Sequence, residues 1–376
     1  MEGTMKELQG KHTNAKIFSD GVEQYALAQI QMLIDHPAFA GSKVRVMPDV
    51  HPGTIGPIGF TATVGGSVLP GVVGIDLGCG MTMAVLKQTK VEFPKLDTVI
   101  REGVPAGYRV RRIPHRFVGS FDFSRLLCFR HIHREKAENS LGTLGGGNHF
   151  IELDRSSSGE LCVVIHSGSR HLGKEVSEYY LTEGQKYWKD KGEAVPYELT
   201  PLEGGLMDAY VHDVSIVQEY AALNREAILD ELCRGMKWKV QETRSCIHNY
   251  LDTGGEGMIL RKGAISAKVG EKLIIPINMR DGVILGTGKG NPDWNASAPH
   301  GAGRIMSRTE VKQNFTVSAF KKEMQGIYST SIGADTLDEA PFAYRGLEEI
   351  RAAVEDTLTI EDVLKPIYNF KAGGAE

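Results

Sequence analysis

Leu161-Cys-Val-Val-Ile165-His166-Ser-Gly-Ser-Arg170 joins a continuous apolar run to a short polar segment. The run has the length of a strand buried on both faces, and the polar groups fall at its end, where chemistry commonly sits. Lys43-Val-Arg-Val-Met47 alternates as a strand does and leads into Asp49-Val-His51-Pro-Gly, so the same arrangement occurs twice. Between Gly53 and Gly80 glycine is unusually frequent, but Ile58, Phe60, Val64, Val68, Leu69, Val72, Val73 and Ile75 are interleaved with it. That mixture predicts buried strands and tight turns, since a flexible linker lacks the apolar residues.

Around these strands, the spacing of Tyr25, Ala26, Ile30, Leu33 and Ile34 predicts a helix over Val22 to Ile34, ended by Pro37 and Gly41. Leu172 to Asp190 and Leu206 to Leu232 read as further helices. The second is the clearer, with Tyr210, Val214, Val217, Ala221, Ala227 and Ile228 near helical spacing, and reads as scaffolding. Lys272-Leu-Ile-Ile-Pro276 and Gly282-Val-Ile-Leu285 are short β-like pieces, followed by a polar tail ending in Val363 to Lys371. No linker, repeat or low-complexity tract divides the chain. Residues 1–376 therefore read as one large α+β domain, with sheets carrying the ligand loops and helices packed outside.

The 376 residues and 41% hydrophobic content supply a sizeable core. A net charge of −4 gives no global sign of a polyanion partner, so any such partner must meet a local basic patch. The cluster Arg109, Arg111, Arg112 and Arg116 is one candidate, although a solvated charged face explains it as well. Five scattered cysteines without CxxC spacing argue against a disulfide scaffold, and neither a signal core nor a membrane-length apolar run is present. The expectation is a cytoplasmic protein without a membrane partner.

Asp76-Leu-Gly-Cys79 offers a carboxylate and a thiolate among glycines that free the backbone to fold around an ion. Cys79 alone reads as a small buried hydrophobe; its setting makes it a candidate ligand able to bridge two ions. His149, His166 and His248 lie in glycine-flanked or strand-terminal contexts. His12, His36, His115, His131, His133 and His212 have polar or amphipathic surroundings and are expected at the surface or as caps. Imidazole, thiolate and carboxylate together suit manganese, zinc, cobalt or iron better than an all-oxygen magnesium or calcium cage. His300-Gly-Ala-Gly-Arg304 sets another imidazole among glycines, either as a structural histidine or as a nucleophile, because neutral imidazole attacks phosphorus near pH 7 without a strong base. Neither a GxxxxGK[ST] loop nor a Lys-x-Asp-Gly sequence is present.

Asp49-Val-His51-Pro-Gly, Val73-Gly-Ile-Asp76-Leu-Gly-Cys79-Gly-Met81, Gly145-Gly-Gly-Asn148-His149-Phe-Ile-Glu152, His166-Ser-Gly-Ser-Arg170, His248-Asn249 and His300-Gly-Ala-Gly-Arg304 occur in one order. In this the chain resembles the RtcB-type RNA-splicing ligases over about Gly10 to Lys371. The resemblance implies a GTP- and manganese-dependent enzyme with two Mn2+ ions. It would join an RNA 2′,3′-cyclic phosphate or 3′-phosphate end to a 5′-hydroxyl through a guanylylated histidine and an RNA-(3′)pp(5′)G intermediate, in tRNA splicing or RNA repair. Carried over by position, His300 takes the GMP. Cys79 bridges the metals, with Asp76, His149, His166 and His248 completing their shells. Asn148, Glu152, Asn278, Gly301, Ala302, Gly303 and Lys371 hold the nucleotide, Glu152 and Lys371 at the guanine. Asp49, His51 and Arg170 serve the RNA end, the first two as contacts or as supports for other ligands. Beside RNA, an archease-like activator is the partner the resemblance leaves open.

The chain departs from the family's pattern at Ile275-Pro-Ile-Asn278-Met279-Arg280-Asp281, bulkier and more charged than the Pro-Gly-Ser-Met-Gly of well-known members, and at His171, where a glycine often stands. It is also short for the family. These differences keep alternatives open: guanylylation of nucleic-acid 3′-phosphate ends without ligation, a dinuclear metal phosphoesterase, or a silent binder.

Overall fold

Two large mixed-order sheets, two two-stranded ones and the helices between and around them make up the computed structural model, which describes residues 6–373. The first sheet has six strands in the spatial order Lys6–Gln9, Asn14–Ile17, Val44–His51, Ile58–Val64, Gly257–Lys262, Asn249–Gly255. The second has seven, in the order Val240–Ile247, Gly80–Leu86, Leu161–Ser167, Phe150–Arg155, Leu358–Lys371, Gly282–Gly288, Lys272–Asn278. The seven-stranded sheet curls until its two edge strands meet, where the Cys246 thiol donates to the Ile274 carbonyl at 3.5 Å. The expected α+β class is what the chain adopts.

Alternation along the strands sorts the side chains between the two faces of the curl. Leu161, Val163 and Ile165 point outward and are buried with Ile228 and Leu232 of the long helix Gly204–Met236 and with Leu96 and Ile100 of Phe93–Gly103. Each such side chain contributes about 1.5–3 kcal/mol by leaving water. Cys162 and Val164 point inward, where Met81, Met83, Phe150, Ile274, Val283 and Leu364 fill the curl. His166 continues this inward series by two more residues. A larger core lies between the six-stranded sheet and the helices Gln24–Ile34, Arg170–Asp190 and the first half of Gly204–Met236.

The glycine-rich stretch from Gly53 is ordered, as Ile58–Val64, Ser67–Val68 and the short helix Pro70–Val73. The expected polar tail is different: Leu358–Lys371 is an interior strand, paired with Phe150–Arg155 on one side and Gly282–Gly288 on the other. Pro366 lacks an N–H, and the pairing shifts register between Pro366 and Tyr368, which is why the segment does not read as a strand. Among the described residues no helix is long and apolar enough to cross a membrane.

Candidate functional site

Strand register brings the candidate residues together. Gly80 stands opposite both Ile247 and Ser167, and Phe150 stands opposite both His166 and Lys371. Cys79, His149, His166, His248 and Lys371 are therefore all at one end of the curled sheet, although they come from five chain segments. His248 is placed between the strands Val240–Ile247 and Asn249–Gly255, where the chain crosses from one sheet to the other, and its N–H donates to the Cys79 carbonyl at 2.8 Å.

Two groups of three donor atoms result, Asp76 with Cys79 and His149, and Cys79 with His166 and His248, each within 4.8 Å of one another. Cys79 Sγ is 3.3 Å from His149 Nε2 and 3.4 Å from His166 Nε2; His149 Nε2 is 3.1 Å from Asp76 Oδ2, and His166 Nε2 is 3.3 Å from His248 Nε2. Such separations are those of ligand atoms that share one ion at about 2.0–2.3 Å. A thiolate, a carboxylate and three imidazoles form a donor set that would suit a borderline divalent ion, and Cys79 belongs to both groups. Burial holds His166 and His248 well below the usual imidazole range, so both stay neutral with a free lone pair. His166 Nδ1 donates to the Asn148 carbonyl at 3.0 Å, which leaves its Nε2 unprotonated and facing the cluster. Burial and the adjacent Asp76 push the Cys79 thiol well above its ordinary value, so a cation must displace its proton.

Two glycines have steric reasons. A Cβ on Gly168 would lie 2.1 Å from Asp76 Oδ1. Gly145 has φ +83°, and a Cβ there would lie 1.8 Å from the guanidinium of Arg170, which donates to His149 Nδ1 at 2.9 Å.

Beside the cluster, the His300 ring is 4.8 Å from that of His248. His300 Nδ1 donates to Asp49 Oδ2 at 2.7 Å, and the His300 N–H reaches the same oxygen at 3.2 Å. Asp49 is fully buried, in a strand whose pairing shifts register between Val46 and His51. Of the two expectations for Asp49, a contact to the RNA end or a support for another ligand, its hydrogen bond to His300 corresponds to the second. His51 is at the cavity wall, where burial lowers its imidazole to about 4.

A cavity of about 420 Å³ opens from His166 and His300. Asn148, Glu152, Asn278, Gly301, Ala302, Gly303 and Lys371 all line it. At its far end Asn369 donates to Glu152 Oε2 at 2.6 Å, and Lys371 pairs with Glu339. Burial pushes the Glu339 carboxyl up, but Lys371, Arg308 and Arg304 outweigh it and hold the group at about 2. Burial raises Glu152 to about 7, and burial and the neighbouring Glu152 lift Asp154, two residues along on the same inward face, well above the usual carboxylate range. Asn278 lines the cavity with its amide already engaged: Nδ2 donates to Asp281, and Oδ1 accepts from the N–H groups of Arg280 and Asp281. In the same departing segment Met279 is buried against Val311 and Phe320, and Arg280 turns outward to Glu323 and Asp281, so its charge is not presented to the cavity.

Several residues of the site escaped the sequence reading. Asn224 and Arg225, on the helix taken as scaffolding, are fully buried and tie the loops down. Asn224 Oδ1 accepts from Gly142 N–H at 2.8 Å, and its Nδ2 donates to the Gly168 carbonyl at 3.1 Å. Arg225 Nη1 donates to the Gly78 and Ser167 carbonyls, both at 3.0 Å. Two adjacent polar residues on an otherwise apolar stripe were the available signal. Glu339, Tyr344 and Arg308 lie in segments without periodicity and gave none. Of the six histidines expected at the surface or as caps, His36 and His115 cap short turns, His115 while buried beside Asp230 and Glu231; the other four are exposed.

Two donor triplets sharing a thiolate, next to an imidazole backed by a carboxylate, define a centre suited to metal-assisted chemistry at phosphorus. A family model described as tRNA-splicing ligase RtcB matches residues 29–127 and 118–372. The chain is 29% identical to the RNA-splicing ligase RtcB of Escherichia coli (strain K12) over 396 residues, 95% of this chain and 97% of that one. It is 27% identical to the tRNA-splicing ligase RtcB of Aeropyrum pernix, covering 81% of this chain and 82% of the relative. The chain belongs to the RtcB family.

Proposed function

We propose that this protein is a GTP-dependent RNA ligase that joins RNA 3′-phosphate or 2′,3′-cyclic phosphate ends to 5′-hydroxyl ends, with two manganese ions held by Asp76, Cys79, His149, His166 and His248. The observation that carries the reading is the contact between the His300 and His248 rings: a carboxylate-backed imidazole beside a candidate metal ligand lets one phosphorus meet both. The metals would supply Lewis-acid stabilisation of charge developing on phosphoryl oxygens.

With its Nδ1–H held in a hydrogen bond to Asp49, His300 keeps the Nε2 lone pair. That nitrogen attacks the α-phosphorus of GTP, the bond to the bridging oxygen breaks, and pyrophosphate leaves. The RNA 3′-phosphate, formed from a cyclic end by addition of water, then attacks the same phosphorus and displaces Nε2, giving RNA-(3′)pp(5′)G. Attack of the 5′-hydroxyl on the RNA phosphate forms the phosphodiester and releases GMP. Asn148 contacts the nucleotide phosphate, ionised Glu152 accepts from the guanine N–H groups, and Lys371, on the neighbouring paired strand, helps hold the base. Arg170 receives the phosphate of the RNA end.

The test is incubation of the purified protein with manganese and α-labelled GTP, beside ATP and beside His300→Ala. An acid-labile, alkali-stable adduct from GTP, absent in the variant, supports the reading. Phosphoester hydrolysis that persists in His300→Ala, with no adduct, would replace it with a metallohydrolase.

A further inference from the structure

Tyr108 and Ile113, each 81% exposed, are among the most exposed large apolar side chains of the described residues, and with the exposed Val110 they lie in the loop 105–114. Four arginines punctuate or follow that loop, and they divide into two kinds. Arg111 donates to the Gly103 and Gly142 carbonyls and pairs with Glu231, and Arg116 pairs with Asp230. Those two anchor the loop. Arg109 and Arg112 are exposed and form no ion pair among the described residues; Arg109 reaches only the Ala106 carbonyl, at 3.4 Å.

The loop is also attached to the site. Gly107 N–H donates to the Gly145 carbonyl at 2.9 Å, and Gly145 is the glycine packed against Arg170. Gly107, Arg109 and Lys371 line a groove of about 370 Å³, and Lys371 also lines the main cavity.

We propose that Tyr108, Arg109 and Arg112 form a landing strip for single-stranded RNA, receiving the nucleotides that precede the 3′-phosphate. This rests on the ligase reading above and adds to it where the strand lies. An aromatic ring 81% exposed offers a base a stacking face irrespective of sequence, and two guanidinium groups without ion pairs among the described residues suit the adjoining phosphates. A phosphate held by Arg170 leaves its strand at Gly145, one hydrogen bond from the loop, so the path is continuous.

The experiment measures binding of a fluorescent ten-nucleotide single-stranded RNA with a 3′-phosphate to the full chain by anisotropy across salt concentrations. Tyr108→Ala, Tyr108→Phe, Arg109→Ala with Arg112→Ala, and Arg116→Ala are compared with the unsubstituted protein, and GMP transfer to His300 is followed in parallel. Tyr108→Ala is expected to weaken binding about tenfold, with Phe restoring it. The double arginine variant should reduce the salt slope by about 1.4, and Arg116→Ala should leave it unchanged. GMP transfer should be the same in all of them. A protein that takes GMP but binds RNA equally well in every variant overturns the landing strip while sparing the ligase reading. A protein that neither takes GMP nor binds RNA overturns both.

Discussion

Asp49 and His300 are 251 residues apart in the chain and share one short hydrogen bond, Nδ1 to Oδ2 at 2.7 Å, with the carboxyl fully buried. The pair fixes which ring nitrogen carries the proton. Asp49→Asn keeps the volume but offers an amide that can favour the other tautomer. GMP transfer is expected to fall by on the order of 10²- to 10⁴-fold, as in other Asp–His pairs that set a tautomer. The rate of adduct formation measures it, with thermal melting alongside to show that the fold persists; an unchanged rate would remove Asp49 from the chemistry.

Arg225 predicts a different kind of loss. Its guanidinium is the donor for the Gly78 and Ser167 carbonyls, the backbone on either side of Cys79 and His166. Arg225→Met fills much of the space but leaves two buried acceptors without partners, an expected cost of about 2–4 kcal/mol. Denaturant titration reads the stability, and manganese titration should show weaker binding as the loops loosen.

Metal uptake should be proton-linked. Burial and Asp76 raise the Cys79 thiol, so binding as thiolate releases one proton. Below the thiol's pKa the apparent affinity is expected to rise about tenfold per pH unit. Manganese titrations at three pH values test this, and Cys79→Ser should flatten the dependence while weakening both ions together, since the two donor groups share that sulfur.

Glu152 gives the acid limit of nucleotide binding. Burial lifts its carboxyl to about 7, so acidification through that value adds a proton and removes an acceptor for guanine N–H groups. GTP affinity should therefore decline as pH falls from 8 to 6, and Glu152→Gln should show the weaker affinity throughout. The linkage to folding has the opposite sign: the folded pKa lies above the unfolded one, so the folded state holds the extra proton between about 4.5 and 7. Stability from this group is lost as pH rises through about 7, which chemical denaturation at pH 5.5 and 8 can measure.

Strands with strong alternation or continuous apolar character, such as Leu161–Ser167, and helices with a clean stripe, such as Gly204–Met236, were legible because local pattern and tertiary role agree. Leu358–Lys371 was not, because Pro366 breaks its ladder and its charged residues mask its interior position. At the site, glycine-flanked histidines announced themselves through the backbone freedom they need. Asp49 was legible as a support for another ligand or as an RNA-end contact, but its partner was not, because only the fold brings His300 to it. Tyr344 and Glu339 were hidden for the same reason, their significance resting wholly on contacts with Arg304 and Lys371.

Candidate metal donors run from Asp76 to His248, and four strands of the seven-stranded sheet, distant in the chain, must pair before the donors meet. An unfolded or half-made chain offers an ion little beyond the nearby Asp76 and Cys79, whereas the finished fold offers five groups at once. Metallation is thus a report on completed folding: the ion is retained firmly only by molecules whose distant segments have already found one another, and an incompletely assembled chain stays both unmetallated and inert.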